Sequence, residues 1–137
     1  MTFGEFTARV IAVNALVQIC QVIVALGLLN VWLLRFNKPT AYRGGKAVNL
    51  PGEFAVYGLP VWSCYLVGFL KVASAIALLA GLLYPAPVLP AALIVALLMA
   101  GALAMHVKVG DPFKKSVPAL SVLALCVIII AGHWPGR

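Results

Sequence analysis

Lys71 is the residue around which chemistry in this chain would have to be built. It stands about ten residues into an apolar run from Val61 to Tyr84. At 1.5 Å per residue, its Cα lies ~15 Å from the nearer end of a helix. A charge that deep in hydrocarbon costs ~2.5–3.5 kcal/mol even on the lenient insertion scale. Two arrangements answer the cost. The stem snorkels to the near surface, or the ammonium faces the interior of a bundle and belongs to a polar site. Partners exist for the second. Asn14, Gln18 and Gln21 fall at i, i+4, i+7, within about a 60° arc at 100° per residue. Such a stripe either hydrogen-bonds neighbouring helices or lines a ligand pocket. On the run of Lys71 itself, Cys64, Gly68 and Ala75 share its face, with Ser74 beside it. The inward arrangement points the ammonium toward Gln21 and Gln18. Amides solvate a cation only partly, so it also calls for a carboxylate. Glu53, folding back through Pro51-Gly52, is the expected counter-charge; its alternative is ordinary pairing with loop bases.

His106 ends a later apolar run. It reads either as a helix cap stabilised by the dipole or, with Glu53 or Lys71, as part of a proton-handling site. Asp111 before Pro112 reads as an N-cap followed by a first helical residue. Cys20, Cys64 and Cys126 lie scattered in apolar runs without a C-x-x-C pair, so no disulfide framework or metal site is expected. The chain lacks H-E-x-x-H, Walker, G-x-S-x-G and G-x-G-x-x-G motifs. It is expected not to be an enzyme on its own.

The elements that must position these residues follow from composition. Of 137 residues, 64% are hydrophobic and 9% charged, with a mean hydropathy of +1.10. A soluble domain carries roughly 25% charged residues. The expectation is an all-α membrane protein: a single four-transmembrane-helix bundle over residues 1–137, with helices at about 8–34, 61–84, 88–106 and 112–131. Each is near the ~20 residues that cross ~30 Å of hydrocarbon. The first is too long for a signal-peptide core and is read as a retained span. A long polar connector, Arg35 to about Leu59, joins the first two helices, with a short interfacial helix expected after Pro51. Pro85-Ala86-Pro87 makes a tight turn. Pro118 is expected to kink the fourth helix. Ala92, Ala96, Ala100 and Ala104 read as a small-residue packing ridge.

Seven Lys/Arg fall in the two loops on one side, against Arg9 and Arg137 on the other. This bias puts the long loop in the cytoplasm and both termini outside it. Trp32, Tyr57, Trp62 and Phe113 are expected at the cytoplasmic rim, and Phe3, Phe6, Tyr84 and Trp134 at the opposite one. Lys108, Lys114, Lys115 and the basic cluster at 35–46 are expected to meet anionic lipid. The basic residues form no continuous patch, which excludes nucleic acid as a partner.

Two stretches resemble the DoxX-like family. One runs through Gly58-Leu59-Pro60-Val61-Trp62 and Tyr65-Leu66-Val67-Gly68-Phe69-Leu70-Lys71 to Leu78-Leu79-Ala80-Gly81-Leu82. The other is His106-Val107-Lys108-Val109-Gly110-Asp111-Pro112-Phe113-Lys114-Lys115, then Pro118-Ala119-Leu120. The resemblance covers the chain from about Arg43 onward. It implies a four-helix bundle in a bacterial inner membrane, and family-typical roles for Gly58, Pro60, Lys71, His106, Gly110, Asp111 and Pro112. It also implies a link to membrane oxidoreductases, since the family name comes from subunits of a thiosulfate:quinone oxidoreductase. A vertebrate relative instead chaperones receptor assembly.

Three expectations of function follow. The first is a non-catalytic or quinone-proximal subunit of a membrane oxidoreductase system. No cofactor ligand set is evident, but an apolar pocket with Lys71 suits a quinone or lipid-like head group. The second is an assembly factor for another membrane protein, and the third a carrier of a small amphipathic molecule. Partners are the bilayer and either a membrane protein or a second copy of the chain.

Overall fold

A computed structural model of the chain describes residues 1–136. Arg137, counted above with the termini side, lies outside the described residues. Those residues form helices and no strand.

Helix α1 spans Phe3–Leu29. It begins five residues before the apolar run because a capping box starts it. The Thr2 side chain accepts from the Glu5 amide at 3.1 Å, and the Glu5 carboxylate accepts from the Thr2 amide at 2.9 Å. A π-helical turn, Asn30–Leu34, carries α1 on to the loop side. The short helix α2, Leu50–Val56, has Pro51 in its first turn as expected. Asn49 caps it, accepting from the Gly52 amide at 2.7 Å.

The other spans are α3 (Val61–Ala80), α4 (Val88–Lys108) and α5 (Val117–His133). Before α5 lies a 3-10 turn, Phe113–Ser116. The expected Asp111 cap is therefore not made. Pro118 falls in the first turn of α5, where its missing N–H is harmless, so it starts the helix instead of kinking it.

Four apolar helical segments are long enough to cross a membrane: Phe3–Leu34, Val61–Ala80, Val88–Lys108 and Phe113–His133. They pack in a ring, α1 on α3, α3 on α4, α4 on α5 and α5 on α1. The centre is filled by small and branched side chains: Val24, Ala25, Ala75, Leu78, Val95, Cys126 and Ile129. All three cysteines are buried and free. The outer face is apolar, with Phe69, Leu97 and Val107 exposed, as lipid requires.

Two departures have geometric causes. In the alanine ridge, Ala92 is buried but Ala100 and Ala104 are exposed. A row spaced by four advances about 40° per step and leaves the interface within three steps. The buried seam instead runs Val88, Ala92, Val95, Met99 and His106, with alternate steps near 3.5 residues that stay on one face. The second concerns α1. Residues 3–16 are exposed on every side, and burial begins at Val17. The helix overhangs the bundle at the termini side.

Candidate functional site

The α3 face expected from sequence is the one that is buried: Cys64, Gly68, Lys71, Ser74 and Ala75. Lys71 is 9% exposed, so its side chain turns into the bundle and does not extend to the loop-side surface, while its Nζ keeps some accessible surface. Its neighbours differ from those expected. The Nζ atom stands over the Trp32 ring, 5.3 Å from the centroid, a favourable cation–π placement. Gly68 makes the contact possible, because a Cβ there would lie 2.7 Å from the ring. Among the described residues, Lys71 has no ion-pair partner within 4.0 Å and no hydrogen-bond acceptor.

Gln21 is not that acceptor. Its Nε2 donates to the Leu78 carbonyl at 3.0 Å. Leu78 is seven residues beyond Lys71, about 10 Å along the helix. Asn14 and Gln18 are exposed near the termini side. The polar stripe of α1 and the Lys71 ammonium are thus two separate places.

Glu53 does not pair with Lys71 either. Its carboxylate accepts from Arg43 Nη1 at 3.3 Å, Tyr57 Oη at 2.6 Å and the Gly44 amide at 3.2 Å. Arg43 is 4% exposed and also donates to the carbonyls of Arg35 and Lys38. It thereby fastens the long loop to the end of the first span and holds Glu53 in the loop. Sequence reasoning put Arg43 among the loop bases and missed its role. The available signal was Arg43-Gly44-Gly45, a compact turn that lets a cation fold back.

An aromatic row links this cluster to the membrane face. Tyr65 contacts Phe36, Phe36 contacts Trp32, Trp32 contacts Phe54, and Phe54 contacts Tyr57, with centroids 5.9 to 6.3 Å apart. Tyr57 meets His106 edge to face at 5.8 Å. Burial, the hydrogen bond to Glu53 and the charges of Glu53 and Asp111 push the Tyr57 phenol well above its usual range, against the pull of Arg43. It stays protonated and donates. Trp32 and Tyr57 are buried, so they do not form the expected rim; Trp62 and Phe113 are exposed.

His106 is held by Asp111, with Nδ1 to Oδ2 at 2.7 Å. Asp111 Oδ1 accepts from the Gly45 amide at 3.0 Å and lies 3.8 Å from Lys115 Nζ. His106 is therefore oriented by a carboxylate, not simply a helix cap. Lys115 donates to the Gly45 carbonyl and Lys108 to the Tyr57 carbonyl. Those lysines serve the fold, while Lys114 is exposed to the outside.

Burial raises the Asp111 pKa, but the bonds from His106 and Gly45 and the Lys115 charge outweigh it and hold the carboxyl below its ordinary value. The folded value is depressed, so this stability is present above pH ~4 and lost as pH falls below it. Asp111→Asn is expected to lower unfolding free energy by ~1.5–3 kcal/mol at pH 7, the worth of a charged hydrogen bond. Thermal melts in detergent at pH 7 and pH 3 should show the gap closing in acid. A gap equal at both would refute this role for the carboxylate.

On the lipid side, Trp32, Phe36, Tyr65, Gly68, Phe69 and Val72 line most of an apolar groove of about 320 Å³. Trp32 is common to the groove and to Lys71. The DoxX-like family model matches residues 19–129, from the buried part of α1 through the last core residue of α5. The chain belongs to the DoxX-like family. No curated protein and no solved structure matches it. Several residues within the matched range of this DoxX-like chain have visible work. Gly58 ends α2 at φ +79°, and Gly110 turns the chain after α4 at φ +72°, so that the Asp111 amide reaches the His106 carbonyl at 3.0 Å. Pro60 precedes α3, and Pro112 precedes the 3-10 turn.

Proposed function

We propose that this DoxX-like membrane protein is a non-catalytic, ligand-holding subunit of an oxidoreductase system, seating a quinone-like amphiphile at the Lys71–Trp32 site. One observation carries the reading: a largely buried lysine, its Nζ still partly accessible and without a hydrogen-bond acceptor, stands over Trp32, which lines an apolar groove open toward lipid. A carbonyl head supplies the missing acceptor, and a hydrocarbon tail suits the groove. The loop side is cytoplasmic on this reading, in line with its seven Lys/Arg.

A test is retention of decylubiquinone by protein purified in detergent. Lys71→Met should lower retention by ~10- to 100-fold, the worth of a charged hydrogen bond. Because Glu53 is already paired with Arg43, the variant should keep its melting temperature. Unchanged retention would exclude the site.

The assembly-factor reading rests on a different observation. Phe3, Phe6, Val10 and Val13 continue the 3-4 spacing of the buried Val17, Cys20 and Val24, yet lie uncovered. A stoichiometric membrane protein in the same preparation, released by deleting residues 3–13, would favour it.

A further inference from the structure

A second cavity lies at the other end of the bundle, about 330 Å³, lined in part by Asn14, Gln18, Gln21, Gly81, Gly132 and His133. We infer that it is a binding site for a small neutral molecule or head group that donates a hydroxyl hydrogen bond. The inference is independent of the Lys71 site, which is about three helical turns from Gly81 along α3.

Gln21 carries it. The residue is 1% exposed, and its Nε2 is engaged by the Leu78 carbonyl. Its Oε1 has no partner, alone among the buried polar side-chain atoms of the described residues. A buried acceptor left open is unfavourable by ~1–3 kcal/mol. The same side chain lines the cavity, so a small turn of its amide toward that space brings Oε1 to a donor placed there. His133 offers a second acceptor. Its Nδ1 lies 3.2 Å from the Ile129 carbonyl. A carbonyl only accepts, so Nδ1 carries the proton and Nε2 of the neutral ring keeps its lone pair. No lining residue is acidic, so a cation would enter without a counter-charge, which is strongly unfavourable. A neutral hydroxyl meets no such barrier. The volume exceeds what one water needs and admits a single aromatic ring. Exposed Asn14 and Gln18 mark an open, polar side.

The hydroxyl has two sources, a lipid head such as that of diacylglycerol or a free phenol or alcohol. Fluorine NMR on the full chain in nanodiscs can compare 4-fluorophenol with 4-fluoroanisole, which has the ring but no donor. Binding of the phenol about tenfold tighter is expected, one buried hydrogen bond's worth. The preference should vanish in Gln21→Met and weaken in His133→Phe, which serves if the first variant does not fold. It should persist in Lys71→Met, so loss of the quinone reading leaves this one standing. Competition by diacylglycerol assigns the site to a lipid head, and its absence to a soluble molecule; either supports the site. Equal binding of the two fluorinated rings, binding of neither, or a preference that survives both variants would overturn it and leave the cavity to water.

Discussion

Arg43→Met is expected to destabilise the protein by about 3–5 kcal/mol, the usual penalty for stranding one partner of a buried ion pair. Glu53 would be left with Tyr57 and the Gly44 amide but without its counter-charge. The Lys38 carbonyl would lose its donor at the same time, and the Arg35 carbonyl would keep only the Lys38 amide. The long loop closes over the end of the first span through these bonds, so its accessibility should rise with the loss of stability. Adding Glu53→Gln should recover a large part, because an amide needs no counter-charge and can still accept from Tyr57. Detergent thermal melts measure the free energies, and proteolysis within residues 35–49 reports the loop. If the single variant melts like the parent, or the double is no better than the single, Arg43 does not hold the loop by charge.

Gly68→Val should lower both stability and ligand retention. Even the first side-chain carbon would lie 2.7 Å from the Trp32 ring. The ring must move, and overpacking of this kind costs ~1–3 kcal/mol. Trp32 both faces the Lys71 ammonium and lines the groove. Its displacement should therefore also depress decylubiquinone retention to about the level of Lys71→Met. Trp32→Phe in the same chain makes room and should restore stability. Wild-type melting and retention in Gly68→Val would show that the close approach is dispensable.

The four spans were legible because lipid forces each helix to be apolar around its outside and about 20 residues long. The inward turn of Lys71 was legible too, from the company of Cys64, Gly68 and Ala75 on its face. Its neighbours were not. Aligning the first two spans by their midpoints sets Gln21 level with Lys71. In the folded chain Trp32 faces Gly68 and Gln21 reaches Leu78, an offset of about two turns. The first apolar run overhangs the bundle on the termini side, where burial begins only at Val17, so its midpoint misleads. Glu53 was misassigned for a related reason. Charge and depth favoured Lys71, but Arg43, ten residues upstream, reaches Glu53 through a glycine turn that hydropathy does not report. Asp111 read as a cap because local sequence cannot show a bond to Gly45 across 66 positions.

The long first helix bears on the lipid itself. The apolar stretch from Val10 to Leu34 would measure about 37 Å at 1.5 Å per residue, against a hydrocarbon layer of ~30 Å. Helices α3 and α4, at 20 and 21 residues, match that layer closely. Tilting α1 to absorb the excess would tilt the helices packed on it, which have no excess to hide. The mismatch is therefore one-sided, and the acyl chains beside the overhang must stretch while those beside α3 and α4 do not. Such elastic strain is worth fractions of a kcal/mol per ångström. It gives this small bundle a preference for thicker bilayers, and a fixed direction in which a neighbour of matching length would relax the strain.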